Sequence, residues 1–136
     1  MTYREPGTSR SAYRRRRTEL KRALRKYAER FDMTSYLHYD GMKKPDSLPK
    51  FEECGTACCM AGMADVLWKR NYGPNAYMHI MCGFGGVEPS PIYTERWPAD
   101  LEREYLDAEH RGDHAAMVEA ACRVIDRTPY REEAWK

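Results

Sequence analysis

Between positions 10 and 30 the chain carries Arg10, Arg14, Arg15, Arg16, Arg17, Lys21, Arg22, Arg25, Lys26 and Arg30, opposed only by Glu19 and Glu29. On a helix the four consecutive arginines 14–17 point in every direction, because each residue advances by about 100°. Cations packed this closely repel one another unless an anion lies against them. Phosphates are the usual answer, since lysine and arginine neutralise them and release condensed counterions. Arg14, Arg15, Arg16, Arg17, Lys21, Arg22, Arg25 and Lys26 are therefore the candidate contacts to nucleic acid or to an acidic protein surface. Tyr13 and Tyr27 lie on the same segment and could stack on bases. The plainer alternative is a solvated helix that pairs with acidic residues of the same chain.

Glu53-Cys54-Gly55-Thr56-Ala57-Cys58-Cys59 is the second place where chemistry could reside. If a helix starts here, the positive end of its dipole favours the thiolate of Cys54. A nucleophile also needs a base, and the histidines are His38, His79, His110 and His114. Cys54, Cys58 and His79 are the candidate catalytic residues, conditional on a fold that joins thiol and imidazole. The C-G-x-x-C pattern has a superficial likeness to the papain-like nucleophile region, but no His and Asn context follows and the chain is much shorter. Cys54, Cys58, His79 and Cys82 are ligand types that zinc accepts, yet C-x3-C and H-x2-C match no strong zinc motif. No metal or other cofactor is expected. Gly83-Phe84-Gly85-Gly86 is followed by no lysine-bearing helix and is not a phosphate loop. The plainer reading of the cysteines is reduced thiols packed as small apolar residues. The balance favours a binding protein over an enzyme.

Helices must position these residues. Ser9 or Ser11 can cap a helix running to about Phe31. From Leu20 onward its apolar residues fall on one stripe, whereas Tyr13 to Arg17 offers little to bury. Residues 32–53 are less regular, with a turn at Asp40-Gly41 and a loop from Lys43 to Pro49. A second helix is expected from Cys54-Gly55-Thr56 to about Arg70, with Thr56 as its cap. Pro74 to Cys82 reads as a short helix, or as a strand over Tyr77–Met81. Trp97-Pro98 precedes a helix from Ala99 to about Glu109, and Asp113 caps a last helix that Thr128-Pro129 ends. The expected fold is mainly α, a single compact helical domain with an extended basic N-terminal helix. Residues 1–30 form the basic extension and 31–136 the helical core.

The 136 residues suit one domain, and 42% hydrophobic with 32% charged is an ordinary globular balance. Five cysteines, an odd number with three crowded together, do not read as a secreted disulfide framework. No apolar run approaches a membrane span and no signal peptide is visible, so a cytoplasmic location and no membrane partner are expected. The net charge of +2 conceals a split of +8 over residues 1–50 and −6 over residues 51–136. Basic and acidic halves in one chain make the overall balance a poor guide to partners.

Phe31-Asp32-Met33, Cys54-Gly55-Thr56 with Cys58, and Ala61-Gly62-Met63-Ala64 carry a resemblance. The chain is similar to small bacterial and phage proteins with a CGTxxCxAGxA-like segment. These proteins also have a later WP pair and tyrosine, matched by Trp97, Pro98 and Tyr105, and a closing helix, matched around residues 116–125. The resemblance covers roughly residues 31–126. It implies a helical domain from a phage or mobile-element setting and no particular activity. The chain departs from the pattern at Cys59 and Met60 and by its arginine-rich N-terminal segment. The expected function is a small non-catalytic binding protein that engages nucleic acid or an acidic protein through that segment. A cysteine enzyme centred on Cys54 or Cys58, or a structural component, is the alternative.

Overall fold

The computed structural model describes residues 9–33, 45, 47–54, 57–72, 94 and 97–128. These form α1 (Arg10–Lys26), a 3-10 turn (Ala28–Arg30), α2 (Leu48–Cys54), α3 (Met60–Tyr72), α4 (Ala99–Arg111) and α5 (His114–Arg127). The fold is mainly α, with no strand among the described residues. Phe31 and Cys58 meet in an isolated parallel bridge.

α4 and α5 form a hairpin whose corner is built by Gly112 and Asp113. Gly112 takes φ 71°, a left-handed conformation suited to glycine, and its N–H donates to the Glu109 carbonyl at 3.0 Å. The Asp113 N–H reaches back to the Ala108 carbonyl at 2.9 Å. The Asp113 carboxylate then caps α5 by accepting from the Ala116 N–H at 3.0 Å. Leu101, Tyr105 and Ala108 of α4 face Met117, Ala120, Ala121 and Val124 of α5, all buried. Tyr105 joins this hairpin to the rest. Its hydroxyl accepts from the Met33 N–H and donates to Glu109, both at 2.9 Å. Its ring meets Trp97 and Phe31 edge-on, at 5.4 and 6.1 Å between centroids. Trp97 is thus a core anchor.

α1 lies against α5. Ser9 caps it, its hydroxyl accepting from the Ala12 N–H at 3.1 Å. Leu20, Ala23 and Leu24 share one core with Met117, Ala121 and Val124, so residues on both sides of position 30 build the same interior. The first half of the helix also has more to bury than its sequence suggests. Ala12, Tyr13 and Arg16 are all buried, and the Tyr13 hydroxyl donates to the Thr128 carbonyl at 3.2 Å. The α-helix stops at Lys26 rather than Phe31. Tyr27 leaves the helical region at φ −110°, ψ 34°, and a 3-10 turn carries the chain to Phe31.

The segment 48–72 corrects the expected single helix from Cys54. α2 occupies Leu48–Cys54, starting inside the segment expected to be a loop, with Pro49 in its first turn. α3 begins only at Met60. The break has a cause: the Cys58 N–H donates to the Arg30 carbonyl at 2.9 Å, and the Cys58 carbonyl accepts from the Asp32 N–H at 3.0 Å. Backbone held in that bridge cannot turn into a helix. α3 starts after it, the Cys59 carbonyl accepting from Met63 at 2.9 Å and its sulfur from the Gly62 N–H at 3.4 Å. Thr56, the expected cap, lies outside the described residues, as do Asp40-Gly41 and the segment 74–82.

Candidate nucleic-acid interface

The eight candidate cations all sit on α1, and the fold sends them to three different environments. Arg17, Lys21, Arg25 and Lys26 turn toward acids of the same chain. Asp126 of α5 takes both Lys21 at 2.6 Å and Arg17 at 3.3 Å. Glu119, two turns earlier on α5, accepts from the Arg25 Nε at 3.0 Å. Lys26 lies 3.6 Å from Glu52 of α2, which also accepts from the Tyr27 hydroxyl. Partial burial works against ionisation of Asp126, but the Lys21 and Arg17 cations outweigh it and hold its pKa below the ordinary value. The Tyr27 hydrogen bond, with Lys26 and Arg30 beside it, likewise holds Glu52 low.

Arg16 goes inward. Its side chain is 7% exposed, and its guanidinium carbon lies 5.9 Å from the centre of the Tyr72 ring. The Nη1 atom is fully buried and has no hydrogen-bond partner among the described residues. Burial lowers its pKa, with Tyr72 acting in the opposite direction. A cation closed off from solvent in this way is no surface contact.

Arg14, Arg15 and Arg22 remain. All three are exposed, and none forms an ion pair among the described residues. They line an open groove of about 540 Å³ together with Thr18 and Glu19. Arg14, Thr18 and Arg22 lie one turn apart on the outward stripe of α1, spanning about 12 Å along the axis at ~1.5 Å per residue. The Thr18 hydroxyl donates to the Arg14 carbonyl at 3.1 Å. Sequence reasoning passed over Thr18, although the i, i+4, i+8 spacing with Arg14 and Arg22 is the signal that places it in the stripe. The tyrosines do not join this face. Tyr13 is buried, and Tyr27 packs edge-on against Phe51 at 5.1 Å. Among the described residues this face therefore offers guanidinium groups and no ring on which a base could stack.

The cysteines are built differently from a nucleophilic site. Cys54 is the last residue of α2, so the helix N-terminal placement that favours a thiolate is not met there. Cys58, Cys59 and Cys122 are buried, reduced thiols. Burial pushes the Cys59 thiol up, and pushes Cys122 up to about 11. His38, His79 and Cys82 lie outside the described residues. His110 is exposed, and the half-buried His114 carries a buried Nδ1 without a hydrogen-bond partner. Among the described residues no group of three or more His, Cys, Asp or Glu side chains is arranged to hold a metal ion. No helix among them is long and apolar enough to cross a membrane.

No protein-family model, curated protein or solved structure matches the chain.

Proposed function

We propose that this protein is a small, non-catalytic binding protein that grips the phosphate backbone of nucleic acid with the outward face of α1. One observation carries the reading: Arg14, Arg15 and Arg22 converge on an open groove with no acid of the described chain paired to them, while their neighbours Arg17, Lys21 and Arg25 are neutralised by α5. A fold that answers four cations of one helix with its own carboxylates and leaves three others facing solvent leaves room for an anionic partner. Phosphodiesters supply closely spaced charge that a guanidinium fork meets with paired hydrogen bonds. With no aromatic platform among the described residues of this face, recognition runs through the backbone and is indifferent to base sequence. The phage or mobile-element setting implied by the segment around Cys54 is compatible with such an accessory role.

The test is a pair of triple variants assayed by fluorescence anisotropy on a labelled duplex at low salt. Arg14, Arg15 and Arg22 changed together to alanine should abolish binding and leave the thermal midpoint almost unchanged. Arg17, Lys21 and Arg25 changed together to alanine should keep most of the affinity and lower the midpoint. The reverse pattern would sink the reading. If the first triple variant keeps wild-type duplex affinity but loses capture of an acidic protein, the occupant of the groove is that protein.

A further inference from the structure

Arg17, Lys21 and Arg25 form a second i, i+4, i+8 row on α1, beside the row of Arg14, Thr18 and Arg22. Arg14 and Arg17 are three residues apart, as are Thr18 and Lys21, and Arg22 and Arg25, so the rows lie roughly 5–6 Å apart at their Cβ atoms. A phosphate strand seated on the first row therefore passes within reach of the second. What holds the second row back is α5. The Asp126 carboxylate takes Lys21 at 2.6 Å and Arg17 at 3.3 Å, and Glu119 takes the Arg25 Nε at 3.0 Å.

The restraint is concentrated at Asp126, whose Oδ1 accepts from both cations. Its side chain is 46% exposed, and those of Lys21 and Arg17 are 21% and 24% exposed, so the pairs sit at the surface, where a phosphate competes for the same donors. Arg17 has further support: it donates to the Asp126 carbonyl at 3.3 Å and lies 5.6 Å from the centre of the Tyr13 ring. Lys21 has no other hydrogen-bond or ion-pair partner among the described residues. An ammonium on a flexible four-carbon stem turns to another anion once its carboxylate loses its charge.

We infer that Asp126 is a positioning residue for phosphate binding: by holding Lys21 and Arg17 against α5, it confines the contact to Arg14, Arg15 and Arg22 and limits the number of phosphates the protein engages. The inference rests on the nucleic-acid reading above and adds the restraint that acts on it. Each phosphate withheld removes one released counterion, so the clamp keeps the complex weaker and less sensitive to salt than the charge of α1 allows. A carboxylate at the edge of the site also repels phosphate directly, but that repulsion does not depend on Lys21, and this difference separates the two effects.

The experiment measures anisotropy on a labelled duplex from 50 to 200 mM salt for the wild type, Asp126→Asn, Lys21→Ala and the double variant. Asparagine keeps an acceptor oxygen and the side-chain shape without the charge. Asp126→Asn is expected to bind at least about tenfold more tightly at 50 mM salt and to steepen the slope of log K against log salt by about 1.8, the contribution of two further phosphates. Its advantage should then shrink about 12-fold between 50 and 200 mM salt. Lys21→Ala should leave the wild-type slope unmoved and cost about 0.9 of slope in the Asp126→Asn background, a coupling that a merely structural role for Asp126 does not produce. Asp126→Glu keeps the charge and should keep the wild-type slope. An Asp126→Asn slope equal to that of the wild type, or a gain in affinity that Lys21→Ala leaves untouched, overturns the positioning role and leaves the groove reading standing. Failure of both the wild type and Asp126→Asn to bind duplex overturns the nucleic-acid reading itself, and the clamp with it.

Discussion

Arg16 and Asp65 are charged side chains closed off from solvent, at 7% and 2% exposure, and each sets a stability expectation. A buried guanidinium whose neighbour is a tyrosine ring is costly to desolvate, and an apolar residue of similar length fills its space without that penalty. Arg16→Met is therefore expected to raise stability by roughly 1–3 kcal/mol and leave nucleic-acid affinity unchanged. Thermal melts together with anisotropy check both halves of that statement. A loss of affinity would mean that Arg16 reaches the ligand. Asp65 lies in the buried stretch of α3, and burial pushes its carboxyl up to about 6, with Lys69 pulling the other way. Between the ordinary ~3.9 and that value the folded chain holds a proton that the unfolded chain has released. Stability therefore falls as pH rises through this interval, by about 3 kcal/mol if the whole shift is expressed. Asp65→Asn is expected to be more stable than wild type at pH 7 and to lose the decline. Urea titrations from pH 4 to pH 8 would show this, and an undiminished decline in the variant would assign the effect to another group.

At the scale of elements, the α1–α5 contact combines an apolar seam with an ionic edge. Leu20, Ala23 and Leu24 pack into the shared core, while Lys21, Arg17 and Arg25 reach Asp126 and Glu119 along its rim. Rim pairs of this exposure contribute little individually, so Asp126→Ala is expected to cost about 1 kcal/mol despite removing the partner of two cations. Its stability contribution should fade as pH falls, because the folded chain holds Asp126 below its unfolded value and protonation ends the attraction. The same contact explains what could be read from sequence. α5 was legible in full, since Gly112 and Asp113 are local signals that end one helix and cap the next. α3 was not, because its start is set by Cys58 pairing with Arg30 and Asp32, a contact between distant segments that no window around Cys58 reveals. The cations follow the same rule. Their number and crowding are local and visible. Their division into paired and unpaired depends on acids distant in the chain, 94 to 109 residues away for Arg17, Lys21 and Arg25, and Glu52 of α2 for Lys26. Arg16 could have been separated from the others, because at about 100° per residue it falls inside the arc spanned by the buried Ala12, Tyr13, Leu20, Ala23 and Leu24, whereas Arg17 falls at the edge of that arc.

For the whole molecule, this division turns the charge asymmetry into a number that salt can measure. The basic N-terminal segment and the acidic remainder sum to a net +2, and part of that opposition meets across the α1–α5 contact, where Arg17, Lys21 and Arg25 pair with Asp126 and Glu119. A cation already paired to Asp126 or Glu119 releases no additional counterion when a phosphate arrives. On the proposed reading only the unpaired face contributes to the salt dependence of binding. Three phosphates neutralised by Arg14, Arg15 and Arg22 would give a slope of log K against log salt on duplex of about −2.7, and affinity would fall about 40-fold between 50 and 200 mM salt. Were all eight α1 cations in contact with phosphate, the slope would be about −7 and the loss roughly 20,000-fold over the same range. Anisotropy titrations at four or five salt concentrations separate these cases without any substitution. A slope near −3 that drops by about one unit for each of Arg14→Ala, Arg15→Ala and Arg22→Ala, and is unmoved by Lys21→Ala, locates the contact on the groove. A slope near −7 would instead mean that nucleic acid strips Arg17, Lys21 and Arg25 from their carboxylates. The α1–α5 contact would then have to open on binding, and Lys21→Ala would lower the slope by about one unit as the groove substitutions do.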